Sequence, residues 1–165
     1  MAYSISNINQ MTQTEFVTAF GDVFEDTPSL AEQTWHHCPF TDLAHLHQTM
    51  VTLVDQLSPD AQLVLIRAHP DLGSRVHMAP ASVQEQTGVG LNNLSAAEYK
   101  KFQILNKSYQ TKFGFPFIMA VKGQTKEAIL TAFDRRLQNS PAHEQQQAIL
   151  EIVKIAHFRL NDLIA

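Results

Sequence analysis

A single cysteine, a single tryptophan and few glycines exclude several architectures at once. Cys38 alone can close no internal disulfide and build no thiolate zinc site, so the chain reads as a protein of a reducing compartment, the cytoplasm. No apolar run approaches the ~20 residues that cross a bilayer, and the start Met1-Ala2-Tyr3-Ser4 lacks the basic and apolar regions of a signal peptide. Positive charge is short as well: 12 Lys and Arg against 16 Asp and Glu give a formal charge of -4, which argues against a nucleic-acid partner. With 44% hydrophobic and 17% charged residues, what is left is an ordinary globular chain, one domain over 1–165 with a sizeable core.

Strand signals are nearly missing too, whereas helix starts are plentiful. Thr12 and Glu15 form a capping-box pattern before Phe16, Phe20, Val23 and Phe24 at helical spacing. Ser29 and Glu32 repeat it before a short helix with Leu30 and Trp35 that stops ahead of Pro39. Asp42 caps a third helix, striped by Leu43, Leu46, Met50, Leu53, Val54 and Leu57. Ser58-Pro59 opens a fourth running to His69, and its four consecutive apolar residues, Leu63 to Ile66, predict burial on several sides. Gly73, Pro80, Gly88 and Gly90 then break the pattern into a long region of the kind that carries function, with Ser82 and Glu85 as the capping box of one short helix. Ser95 and Glu98 start the fifth major helix, closed by Gly114, and Thr125 and Ser140-Pro141 start the last two. The expected fold is an all-α, single multi-helix domain with a long functional loop region between the fourth and fifth major helices.

Three stretches carry candidate chemistry. Pro70 denies its predecessor the α region, so His69 is offered at a helix end, beside carbonyls that favour its cation, a setting suited to proton transfer near neutral pH. The plainer alternative is a capping histidine before a turn. On the last helix Arg159 falls at the edge of the arc of Ile149, Ile152, Val153, Ala156, Leu160 and Leu163, with Glu151 and Lys154 largely opposite. An inward arginine needs an anionic or carbonyl partner, be it a ligand or an internal ion pair. Phe115 to Val121 is the most apolar window, strand-like but without a second strand, hence buried extended chain or a helix entered through Pro116. If extended, a polar ligand or a second subunit could satisfy its amides.

These residues fall into a longer series: Arg67-Ala68-His69-Pro70-Asp71-Leu72-Gly73, Ser82 with Glu85-Gln86, Leu105-Asn106 with Tyr109, Phe113-Gly114-Phe115-Pro116-Phe117-Ile118, Arg135-Arg136-Leu137 with Asn139, and Ile155-Ala156 with Arg159-Leu160. In order and spacing the series resembles the 2-oxo-4-hydroxy-4-carboxy-5-ureidoimidazoline (OHCU) decarboxylases of urate breakdown. The resemblance implies an all-helical homodimer with no metal and no organic cofactor, a carboxy-lyase that turns OHCU into (S)-allantoin and carbon dioxide. It implies His69 as catalytic acid/base with Glu85 beside it. Ser82, Gln86, Arg159, and the backbone of Pro70 and of Phe117, Ile118, Met119, Ala120 and Val121 would hold the substrate. A capping box would instead use up Ser82 and Glu85 at a helix start.

Other readings stand beside it. A metal-dependent hydrolase would draw on His36, His37, His45, His47 and His77, but none of these pairs has the i, i+4 spacing of a helical zinc motif. A non-catalytic helical interaction domain would use Met50, Met78 and Met119 as an adaptable surface, though methionines more often fill cores. A third keeps the fold and decarboxylates a related ureido or imidazoline acid.

Overall fold

A side-chain oxygen that accepts from a free first-turn amide marks where a helix begins, and most starts read from the sequence hold. The computed structural model describes residues 2–74 and 78–165. Among them the helices are α1 (Ile5–Ile8), α2 (Gln13–Phe20), α3 (Ser29–Trp35), α4 (Leu43–Asp55), α5 (Pro59–Arg67), α6 (Pro80–Gly88), α7 (Ala96–Phe113), α8 (Lys126–Arg136) and α9 (Pro141–Leu163). Thr12, Asp42, Ser58, Ser95 and Thr125 each accept from the amide three residues on, at the starts of α2, α4, α5, α7 and α8. The class is all-α, as expected.

Four details differ from expectation. α1, capped by Ser4, is one turn long and too short to show a period. α3 begins at Ser29 behind Pro28, so Ser29 is helical rather than a cap. α6 begins at Pro80 behind Ala79, with no side-chain cap, because proline's fixed φ suits the first helical position. Ser82 and Glu85 therefore lie inside the helix, and their capping-box reading is overturned. On α5, Leu65 and Ile66 are buried but Val64 is 67% exposed, so the apolar run is not covered on all sides. The window from Phe115 to Val121 is neither helix nor strand.

By its contacts the chain divides into two compact units, Met1–Ala68 with Val153–Ala165, and His69–Ile152. The first holds α1 to α5 and the end of α9. Its buried side chains include Phe16, Phe20, Phe24, Leu46, Met50 and Val54, with the Phe16 and Phe20 rings 4.8 Å apart. Tyr3 ties the amino-terminal stretch to the end of α9, donating to the Leu163 carbonyl at 2.8 Å and accepting from Ala165 at 2.9 Å. The second unit holds α6, α7, α8 and the first part of α9. Tyr109 is its aromatic hub, with Phe113 at 4.5 Å, Phe117 at 5.2 Å and Phe115 at 5.9 Å, while Phe117 stacks on Phe133 at 3.7 Å. Each such ring contributes on the order of 2–3 kcal/mol by leaving water, so the Phe115 to Val121 segment is anchored by burial rather than by a sheet.

Candidate active site

α5 ends at Arg67 with Ala68 as its C-cap, so His69 is the first residue beyond the helix and precedes Pro70 as the sequence requires. Its side chain is buried, 7% exposed. The loop that follows is fastened from two helices. The Gln86 side chain on α6 accepts from the Gly73 N–H at 2.9 Å and donates to the Asp71 carbonyl at 3.5 Å. From α7, Asn106 donates to the Leu72 carbonyl at 2.9 Å and Gln110 to the Asp71 carboxylate at 2.7 Å. Gly73 sits at φ +69°, a conformation that favours glycine, and a Cβ there would come to 3.0 Å from Leu94 Cδ1, so the turn asks for glycine and the packing is close. The loop after His69 is thus held by four hydrogen bonds from side chains, three of them to its backbone.

Within α6, Ser82, Glu85 and Gln86 stand three and four residues apart and share one face. Ser82 and Gln86 are buried and Glu85 is half-buried. Gln86, expected to hold substrate, spends its side chain on the loop after His69 and so joins that face of α6 to the histidine segment.

Two backbone groups of Phe117 to Val121 are met from inside the protein where sequence reasoning looked to a ligand or a second subunit. The Ile118 carbonyl accepts from Arg136 Nη1 at 2.5 Å, and the Ala120 N–H donates to Glu151 Oε2 at 3.0 Å. Arg136 is itself held by Glu144, Nε to Oε1 at 2.7 Å, and lies 4.3 Å from the centre of the Phe117 ring. Glu144 also accepts from the Tyr109 hydroxyl at 2.5 Å and from Asn139 at 3.0 Å. Burial first, and then the Glu144 carboxylate, push the Tyr109 phenol well above its usual range, so it stays a neutral donor. Met119 is half-buried.

In the other unit Arg159 is 5% exposed. It donates to Glu25 Oε2 at 3.2 Å and to the carbonyls of Asp22 at 3.0 Å and Val23 at 3.4 Å. The inward placement read from the helical arc holds, and an internal carboxylate partner is present.

Sequence reasoning quoted Asn106 and Arg136 only as members of the motif series, with no role, and missed Glu25, Glu144 and Glu151 as structural participants. The helical arc puts Glu151 largely on the outer face of the last helix, but it is 8% exposed and accepts from the Ala120 N–H. A signal existed: Glu144 precedes Ala148, Glu151 and Ile152 by four, seven and eight residues, on one buried stripe of α9. Among the described residues no group of three or more His, Cys, Asp or Glu side chains could hold a metal ion, and His77 lies outside them. No described helix is long and apolar enough to cross a membrane.

The class these features define is an all-helical protein with a buried histidine just beyond a helix end and a following loop fastened by polar side chains of two further helices. The OHCU decarboxylase family model matches residues 9–161. Similar proteins include the OHCU decarboxylase of Halalkalicoccus jeotgali, 43% identical over 160 residues, which are 97% of this chain and 91% of that one. The Bos taurus OHCU decarboxylase is 37% identical over 164 residues, 97% of this chain and 96% of that one. The uric acid degradation bifunctional protein PucL of Bacillus subtilis is 41% identical over 162 residues, 98% of this chain but 33% of that protein. Among solved structures, an (S)-allantoin synthase aligns with a TM-score of 0.78 at 27% identity, over 98% of this chain and 54% of that one. An OHCU decarboxylase crystallised in the presence of (S)-allantoin aligns with a TM-score of 0.71 at 25% identity, over 93% and 98%. The chain belongs to the OHCU decarboxylase family.

Proposed function

We propose that this protein is a cofactor-independent carboxy-lyase that converts OHCU into (S)-allantoin and carbon dioxide in urate degradation, with residues 1–165 working as one functional domain. The observation that carries this reading is the buried His69 at the end of α5, followed by a loop clamped to the face of α6 that bears Ser82 and Glu85. The substrate supplies its own electron sink. Its carbon bearing the carboxylate also bears a hydroxyl and adjoins a C=N bond. When the bond to the carboxylate breaks, that pair forms a carbon–carbon double bond and the C=N pair moves onto nitrogen. The nitrogen takes up a proton, the hydroxyl loses its own as it becomes the carbonyl, and the neighbouring carbon gains one on a single face, a net uptake of one proton in place of the carbon dioxide lost. Moving these protons and orienting the ring firmly are what the protein must provide.

In this reading His69 is the acid/base and Glu85 its carboxylate partner. Ser82, Gln86, the Pro70 backbone and the backbone of Phe117, Ile118, Met119, Ala120 and Val121 hold the ring. Arg159 takes an anionic or carbonyl oxygen of the substrate through its planar fork. With Ser82 and Glu85 inside α6 rather than at its start, the competing use of both side chains as caps no longer applies. The proposed assembly is a homodimer working in the cytoplasm, which light scattering on the purified protein and localisation of the tagged chain would check. The activity itself is tested by supplying freshly generated OHCU and following circular dichroism of the product. Enantiopure (S)-allantoin forming faster than the spontaneous racemic background supports the proposal, and racemic product at the background rate defeats it.

A further inference from the structure

Arg136, Glu144, Tyr109 and Asn139 have no part in the proton transfers, yet they are drawn into one buried polar cluster. Arg136 is 2% exposed and Glu144 fully buried. Both carboxylate oxygens of Glu144 are engaged, Oε1 by Tyr109 and Arg136, Oε2 by Asn139. Pairs of this kind contribute little net stability, because desolvating two charges offsets their attraction, and apolar residues of similar volume often do as well. What an apolar side chain cannot do is hold a carbonyl. Arg136 does so at Ile118, in a segment with neither ladder nor helix to shape it.

We propose that Arg136 is a positioning residue for the reaction: Glu144, Tyr109 and Asn139 orient its guanidinium, which in turn fixes the backbone of Phe117 to Val121 on which the substrate rests. This rests on the substrate-binding role given to that segment under the proposed function. α7 supplies the reference frame. Asn106 and Tyr109, one turn apart on the same face of that helix, reach respectively the Leu72 carbonyl in the loop after His69 and the carboxylate that holds Arg136. The histidine loop and the Ile118 segment are thereby referred to one helix. Arg136 governs how well the ring is seated, and His69 governs the proton.

The test is Arg136→Lys, which keeps the charge but loses the second prong that reaches Ile118. With freshly generated OHCU, KM rises about tenfold while kcat falls less than about threefold, since seating changes and proton transfer does not. Amide hydrogen exchange at Met119 to Val121 quickens by about tenfold in the absence of any ligand. Tyr109→Phe removes only the hydroxyl that restrains Glu144 and shifts both readouts the same way, by about two- to threefold. It decides the matter if the lysine variant does not fold. Parental KM with parental exchange in the folded variant overturns the proposal. So does faster exchange with parental KM, which would make Arg136 a purely structural residue. A parent protein inactive on OHCU would defeat the proposed function instead, and the exchange rates would still show by themselves whether Arg136 holds the segment.

Discussion

Each unit buries one arginine against one glutamate, and the two pairs are built differently. Arg159 reaches Glu25 and two carbonyls, Asp22 and Val23, at an irregular stretch that includes Asp26 at φ 45°. Arg136 reaches Glu144 and one carbonyl, Ile118, while Glu144 is further bound by a tyrosine and an asparagine and the guanidinium lies over Phe117. In both, arginine holds backbone that has no ladder of its own, and the comparison teaches that here it is a tool for shaping irregular chain. The Arg136 pair is wrapped in neutral donors and an aromatic face, which suits a fixed strut, whereas the Arg159 pair is the one proposed to extend its fork to substrate.

The sharpest way to break that comparison is Arg136→Met, which leaves the Glu144 charge buried without its cation. We expect a stability loss of about 3–5 kcal/mol in urea unfolding, most of it restored by adding Glu144→Leu. Next in size is Glu85→Gln, expected to slow OHCU turnover by about 10²-fold and to lower the enantiomeric excess of the allantoin as the uncatalysed route takes over. Its stability should stay close to the parent, since glutamine keeps the size and shape of the side chain inside α6. Parental rate with full (S) selectivity would remove Glu85 from the mechanism. Arg159→Lys then tests the ligand role: KM should rise about tenfold with kcat nearly kept. A stability loss with parental KM would make Arg159 a purely structural partner of Glu25, unlike Arg136.

The smallest effect concerns Glu98, which closes the capping box of α7 and bridges to Lys126 at 3.1 Å. The Lys126 ammonium first, then the Ser95 backbone, hold its carboxyl below the ordinary value of 4.5. A depressed folded pKa means the ionised form contributes stability above the unfolded value, and the contribution is lost as pH falls through the folded one. Glu98→Gln should therefore lower Tm slightly at pH 7, with the gap to the parent closing below the ordinary carboxylate range and shrinking in high salt.

What could be read from sequence was what is local. Thr12, Asp42, Ser58, Ser95 and Thr125 announce helices because a cap is settled within four residues. The His69 break was legible because Pro70 acts on its neighbour alone. Ser29 and Ser82 misled because each follows closely on a proline, Pro28 and Pro80, that can itself begin the helix, a competition the capping pattern does not register. The polar cluster was illegible for another reason. Arg136 and Asn106 stand in the motif series without a role, and Glu144 and Glu151 stand outside it, until tertiary packing brings carbonyls and amides of distant, irregular chain to them. The inward edge position of Arg159 was visible, and its partner Glu25, far away in the chain, was not.

The central claim is that His69 moves the protons of an otherwise spontaneous decarboxylation, and His69→Asn tests it most directly. Parent and variant are given freshly generated OHCU side by side, and the rate and handedness of the allantoin are recorded. We expect the variant to lose about 10²- to 10⁴-fold of the acceleration and to yield racemic product, with the helical circular dichroism unchanged. Near-parental turnover to (S)-allantoin in the variant would contradict the account and return His69 to the role of a capping residue at the end of α5.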